Sequence, residues 1–133
     1  MTSSAGQKAR TPEEISTLFV QRLNDRDADG MAELYAPDAV MAYPPGQTTV
    51  GRDAIRAVLA EFAAHARLPV PPEESLPAIG YGNLALTSTP SKDGTGVRVQ
   101  VTQRQSDGSW LRIIDQPESH PQSRSQDRPQ PAS

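Results

Sequence analysis

The chain contains no cysteine and only two histidines, of which one, His65, lies outside the C-terminal stretch. Absence of cysteine excludes a disulfide framework, a thiolate nucleophile and any Cys-ligated metal. A single central histidine excludes a His-rich metal site by count. Long apolar runs are missing too, and the opening MTSSAGQKAR has neither an apolar core nor periodicity, so it reads as neither signal peptide nor membrane span. The cytoplasm is then the default compartment. No Gly-rich loop follows a strand and opens a helix, and no Ser, His and acid set is arranged for acyl transfer, so nucleotide binding and Ser-type hydrolysis have no motif. Positive charge is scarce where it would matter: residues 11–116 hold nine Lys/Arg against fourteen Asp/Glu, a net −5. That balance argues against sequence-independent binding to nucleic acid, which needs clustered cations.

Proline, by contrast, is abundant, at thirteen in 133 residues, about twice the usual ~5%. Pro117, Pro121, Pro129 and Pro131 fall in the last seventeen residues, which contain no large apolar side chain. Such a segment cannot bury enough surface to offset the entropy of ordering. We therefore expect a disordered tail over 117–133, another over 1–10, and one domain over 11–116.

Within that domain Thr11-Pro12-Glu13-Glu14 has the form of a helix start, with Thr11 as N-cap and Glu14 closing a capping box. Ile15, Leu18, Phe19 and Leu23 then recur at helical spacing. A short second helix, capped by Asp27 or Asp29, would put Met31, Leu34 and Tyr35 on one face and stop at Pro37. Residues 39–43 read as a short strand. A third helix opens after Gly51, with Ile55, Val58, Leu59, Phe62 and Ala66 as its buried stripe, and ends at Pro69. Four prolines between Pro69 and Pro77 allow only an edge strand or extended connector. The remainder is a meander of strands: Tyr81 to Thr89, then Val97, Val99 and Val101 alternating with Arg98, Gln100 and Thr102, then a turn at Ser106-Asp107-Gly108, then Trp110 to Gln116. Strict alternation in the last strand puts Leu111, Ile113 and Asp115 on one face and Trp110, Arg112 and Ile114 on the other. Helices first and strands after indicate an α+β fold, with helices packed on one face of a curved, mostly antiparallel sheet.

Residues 31–62, MAELYAPDAVMAYPPGQTTVGRDAIRAVLAEF, with the closing stretch Asp107-Gly108-Ser109-Trp110 through Ile114-Asp115-Gln116-Pro117, resemble the NTF2-like superfamily in its SnoaL-like and DUF4440 branch. The resemblance spans nearly all of 11–117. It implies a cone in which three N-terminal helices and a bent sheet enclose an apolar pocket, with dimers commonly formed through the outer face of the sheet. Relatives include ketosteroid isomerase, polyketide cyclases, limonene epoxide hydrolase, scytalone dehydratase and non-catalytic association modules, so the fold alone does not determine function.

The isomerase chemistry uses a carboxylate base with a Tyr and a protonated Asp as oxyanion donors. Those positions fall here on Tyr43, Phe19 and Val101, which excludes ketosteroid isomerase activity. Epoxide hydrolysis needs two carboxylates bridged by an arginine. Arg98 is followed by Gln100 where the second carboxylate would suit, and the last strand offers only Asp115. By analogy with the isomerase, the face that Asp115 shares with Leu111 and Ile113 looks into the pocket, and the resemblance makes Asp115 the candidate acid/base: a carboxylate desolvated by pocket walls suits proton abstraction beside a carbonyl. The alternative is a strand-end residue that is solvated or accepts a hydrogen bond from Arg112 or a neighbouring backbone group. Tyr43 is either the hydrogen-bond donor to a ligand carbonyl or an aromatic cover of the helix. The resemblance assigns Phe19, Val40, Leu59, Phe62, Val99, Val101 and Ile113 to the pocket. Asp38 reads as a turn residue, His65 as a helix C-terminal cation, Arg52, Asp53 and Arg56 as helix-surface pairs, and Trp110 as part of a dimer face or a cover on the outer side of the sheet. Two functions remain open: a cofactor-independent isomerase or cyclase that moves protons on a small apolar carbonyl compound, without metal, in bacterial secondary metabolism, or a non-catalytic ligand-binding or dimerisation module. A third reading is an accessory protein tethered by its tails. A homodimer is expected, with no nucleic-acid or membrane partner.

Overall fold

The structure, a computed structural model, describes residues 6–119. Helix α1 (Pro12–Asn24) begins as the sequence predicts: the Thr11 side chain accepts from the Glu14 amide, and proline occupies the first turn. The Glu14 carboxylate reaches one residue further back than a standard capping box, accepting from Arg10 N at 2.6 Å. Ile15, Leu18 and Leu23 are buried and Phe19 half-buried. Each large apolar side chain so buried contributes about 1.5–3 kcal/mol. Helix α2 (Ala28–Ala32) is capped by Asp27, whose side chain accepts from Gly30 N. Helix α3 (Arg52–His65) starts behind Gly51, at φ 94°, a left-handed conformation that favours glycine.

Six strands form one mixed sheet in the order β2-β1-β6-β5-β4-β3, with β1 Tyr35–Met41, β2 Thr49–Val50, β3 Ile79–Tyr81, β4 Leu84–Pro90, β5 Val97–Arg104 and β6 Trp110–Ser119. Among the described residues only β1 and β6 pair in parallel. The fold is α+β, with three helices in the N-terminal half laid against the sheet. The apolar core lies between the helices and β1, gathering Ile15, Leu18, Met31, Leu34, Ile55 and Leu59. None of the helices among the described residues is long and apolar enough to cross a membrane.

Several expectations are corrected. Tyr35 does not belong to the second helix. The strand starts there, four residues earlier than the predicted residue 39, and runs through Pro37. The irregularity between Tyr35 and Val40 that lets this happen leaves Pro37 and Asp38 exposed, and β2 pairs only at Val40 and Met41, so the missing N–H of Pro37 breaks no ladder. The N-terminal boundary moves back. Ala9 is buried in the core, its carbonyl accepts from Trp110 N, and Lys8 pairs with Asp107, so these residues are not a free tail. At the other end β6 continues to Ser119; residues 120–133 of the predicted tail lie outside the described residues. Trp110 packs against the core and does not face outward. Arg52 donates to the Tyr35 carbonyl at 3.0 and 2.7 Å and Arg56 pairs with Asp29, so both reach other elements instead of pairing along α3.

The largest correction concerns which side of the sheet is inside. Gln100 is in register with Thr87 and Asp115, and Thr102 with Ala85 and Arg112; all six are buried. Residues directly opposite on paired strands share a face. The polar set of β5 therefore points inward, against the helices, and the valines point out.

Candidate functional site

Asp115 sits in a row that crosses four strands in register, Met41–Asp115–Gln100–Thr87, on the inner face. A bulge in β6 brings it a companion. Val101 pairs with Ile114 but Thr102 pairs with Arg112, so Ile113 is the extra residue and the alternation resets across it. Arg112 and Asp115 consequently share the inner face, which uninterrupted alternation forbids. The parallel pairing of β1 with β6 adds Tyr35, opposite Arg112.

These side chains form one network. Tyr35 donates its hydroxyl to Asp115 Oδ2 at 2.5 Å, and Gln100 Nε2 donates to Oδ1 at 3.1 Å. Thr87 donates to Gln100 Oε1 at 3.2 Å. Arg112 donates to the Tyr35 hydroxyl at 3.2 Å and lies 4.0 Å from the Asp115 carboxylate. Its guanidinium stacks over the Phe19 ring at 4.9 Å and the Tyr35 ring at 5.6 Å, positions that favour a cation. Asp115 is 5% exposed and Arg112 4%. Burial, opposed in part by the Arg112 charge and reinforced by Asp115, pushes the Tyr35 phenol well above its ordinary value. Tyr35 therefore stays a neutral donor. Every hydrogen bond of the chain Thr87–Gln100–Asp115 and its Tyr35–Arg112 branch points its hydrogens towards the Asp115 carboxylate. Each carboxylate oxygen keeps a further lone-pair direction after these bonds. The Nε of Arg112 is buried with no hydrogen-bond partner among the described residues, and so is the Nε of Arg98, whose guanidinium pairs with Glu73.

The predicted residues divide accordingly. Asp115 faces inward. Tyr43 does not join it: it lies beyond the end of β1 and is 44% exposed. Phe19 lines the site through Arg112. Leu59 belongs to the apolar core, Ile113 is the bulge residue packed at the margin of that core, and Phe62 is 50% exposed. Val40, Val99 and Val101 lie on the outer face, because their register partners include the exposed Ile114, Leu86 and Gln116. His65 is exposed on the last turn of α3, with Nδ1 near the Glu61 carbonyl. Arg98, Gln100 and Asp115, considered from the sequence as an incomplete epoxide-hydrolase set, do share the inner face, with Gln100 bonded to Asp115 where a second carboxylate would stand. Sequence reasoning named Arg112 only as a possible hydrogen-bond partner of a non-catalytic Asp115, and it missed Tyr35, Thr87 and Glu73. For Thr87 the available signal was the polar phase of β4 and β5; Tyr35 on β1 and Glu73 on the connector have no such local signal.

A groove between residues 6–9 and the β5–β6 turn has its cations engaged. Lys8 holds Asp107, and Arg22 donates to the carbonyls of Gly30 and Gln7. It fastens the N-terminal segment.

A model of the SnoaL-like domain family matches residues 17–113. Among curated proteins none matches the chain. Solved structures superpose over most of it. An NTF2-like protein of unknown function from Pseudomonas putida KT2440 gives a TM-score of 0.61 at 22% identity, covering 81% of this chain and 82% of that one. A Catenulispora acidiphila structure in complex with S-DNPA gives 0.63 at 19%, covering 86% and 94%. A ketosteroid isomerase-like protein from Erwinia carotovora atroseptica SCRI1043 gives 0.64 at 15%, covering 87% and 98%. At these identities the likeness establishes the fold.

Proposed function

The chain belongs to the SnoaL-like domain family, and from that premise we propose that it is a small-molecule pocket protein that moves protons on a carbonyl compound without a cofactor, as an isomerase or cyclase, with Asp115 as the base. The observation that carries this reading is the buried carboxylate of Asp115 with Tyr35 at 2.5 Å and Arg112 at 4.0 Å. Asp115 takes a proton from the carbon beside the carbonyl, and the electron pair of that C–H bond passes to the carbonyl oxygen. The developing negative oxygen then accepts from a preorganised donor, for which the unpartnered Nε–H of Arg112 is the available group. Return of the proton to a second carbon completes the transfer. Tyr35 and Gln100 are positioning residues that fix the carboxylate. The sequence-based donor, Tyr43, is replaced in this scheme by Arg112.

Screening carbonyl metabolites by thermal shift, then by turnover, tests the reading in wild type and Asp115→Asn. We expect the variant to keep ligand stabilisation and lose turnover by about 10²-fold or more, the usual worth of a general base. Equal stabilisation with no turnover in either protein would instead support the second reading, a non-catalytic binding module. That reading is favoured by the internal partners already held by both Asp115 oxygens.

We propose as well that a second copy of the chain covers the outer face. Val50, Val40, Ile114, Val101, Leu86 and Ile79 form an unbroken apolar row across all six strands. Ile79 is 67% exposed and its neighbour Tyr81 is 84%. Contiguous exposed apolar surface of this kind marks an interface, and a two-fold axis brings the same patch of two copies together.

A further inference from the structure

The connector between α3 and β3 is tied to α1 and β4 along its length. Val70 N donates to Asn24 Oδ1 at 2.7 Å, and Asn24 Nδ2 donates back to the Val70 carbonyl at 3.0 Å. Ser75 Oγ and Thr89 Oγ1 are 2.9 Å apart, Leu76 N donates to the Ser88 carbonyl, and Ala78 N donates to Glu13. Between the first two ties Glu73 turns its carboxylate inward onto Arg98. Arg98 is in register with the buried Thr89 and lies two residues before Gln100, so its side chain belongs to the same face as Asp115. Glu73 also contributes to the field that holds the Arg112 charge. Among the described residues the inner face thus brings together two guanidinium groups, Arg98 and Arg112, each with a buried Nε–H that has no partner there, and two carboxylates, Asp115 and Glu73. Asp115 is fixed by the sheet. Glu73 is the one acidic group of the four charges that is carried by a connector.

We propose that Arg98 and Arg112 together bind the carboxylate of a small monoanionic ligand, and that Glu73, now paired with Arg98, stands in for that carboxylate until the ligand displaces it. With Glu73 in place the four charges cancel. With Glu73 withdrawn one positive charge remains, which a monoanion neutralises and a neutral ligand leaves buried and unpaired, an expensive arrangement. A planar carboxylate also suits the forked donors of arginine. The inference rests on the inner face being a ligand site, as proposed above, and names the class: a carbonyl compound that carries a carboxylate. It does not depend on Asp115 acting as a base.

Benzoate and its neutral isostere benzamide are the probes, titrated by NMR into the full chain. In wild type, benzoate shifts the amide resonances of residues 70–76 and of Arg98, whereas benzamide leaves them in place. In Glu73→Gln, with the internal competitor neutralised, benzoate binds about 10-fold tighter than in wild type, and benzamide is unchanged. In Arg98→Gln the preference for benzoate over benzamide disappears. Equal affinities for the two probes in wild type and in Glu73→Gln would overturn the proposal, as would benzoate shifts confined to residues away from the connector. The wild-type titration decides the matter even if a variant fails to fold. Failure here is separable from failure of the proposed function. Turnover of a neutral carbonyl compound that is lost in Asp115→Asn, with no benzoate preference, removes the anion site and leaves the chemistry. Benzoate preference with no turnover removes the chemistry and leaves the anion site.

Discussion

The two faces of the sheet are one residue apart and chemically opposite. The inner row Met41–Asp115–Gln100–Thr87 and the outer row Val50–Val40–Ile114–Val101–Leu86–Ile79 use adjacent positions on the same strands. The buried row is the more polar of the two, and the apolar row is the more exposed. A polar row covered by helices is costly unless its groups find partners, and here each side-chain polar atom of Asp115, Gln100 and Tyr35 has one. The arrangement makes sense if the inside is built to handle a polar ligand and the outside to meet another apolar surface. Neither face then follows the rule for a sheet that merely covers a core.

The inner face breaks most severely at Arg112. Arg112→Ala leaves the Asp115 carboxylate buried without its cation, and removing one member of a buried pair costs about 3–5 kcal/mol. Urea unfolding should show that loss as a lower midpoint at unchanged slope. The double replacement Arg112→Met with Asp115→Leu should recover most of the lost stability, since an apolar pair of similar volume needs no partners. Recovery would separate what the inner polarity does for function from what it does for the fold; a double variant no better than Arg112→Ala would mean that the network itself holds the strands in register.

The outer face breaks at Ile114, the centre of its row. Ile114→Lys places a charge in the proposed dimer contact, and sedimentation equilibrium should show association weakened by about 2 kcal/mol or more, the scale of a central interface residue. The monomer melting temperature should hardly move. A monomeric wild type would remove the dimer from this comparison.

Tyr35→Phe sharpens the inner face in a different way. It deletes the hydroxyl between Arg112 and Asp115 and should cost about 1.5–3 kcal/mol, as for a hydrogen bond to a charged group. It also carries a pH signature. The folded Tyr35 phenol lies above its unfolded value, which is about 10. Its stabilisation is therefore fully present below that pH and is lost as pH rises beyond it, by up to ~1.4 kcal/mol per pH unit. Wild type should lose stability above pH ~10 more steeply than Tyr35→Phe. Parallel curves would mean that Tyr35 is not buried as a neutral donor.

Much of the scaffold was legible in the sequence. Thr11-Pro12 and the Ile15–Leu18–Leu23 stripe mark α1, Gly51 marks the start of α3, and the Ser106-Asp107-Gly108 turn marks the last hairpin, because each depends on neighbours within a turn or two. The site was legible at Asp115 and Phe19, and at Arg98 and Gln100 only as parts of an incomplete carboxylate–arginine set. Alternation identifies two sets of residues on a strand but not which set faces in; that is decided by the helices packed against it, and Val99 and Val101 were placed inside for want of that information. The bulge at Ile113 has no local signature, yet it alone puts Arg112 beside Asp115. Tyr35 is 80 residues from Asp115 in sequence, and only the parallel pairing of β1 with β6 joins them.

Two tyrosines at opposite ends of β1 give the smallest expected effect and a control for the rest. Tyr43 is the residue that the resemblance places in the isomerase base position, yet it lies past the end of the strand, 44% exposed, and only its backbone is engaged, the carbonyl accepting from Thr49 Oγ1 at 2.7 Å. Tyr43→Phe removes a hydroxyl that has no hydrogen-bond partner among the described residues, so stability should stay within about 0.5 kcal/mol of wild type. Turnover of any carbonyl compound found for the wild type should be unchanged, whereas Tyr35→Phe should slow it by loosening the Asp115 carboxylate. A Tyr43→Phe variant that loses turnover while keeping its stability would move the chemistry to the open end of β1, and the polar inner row would then be a structural network.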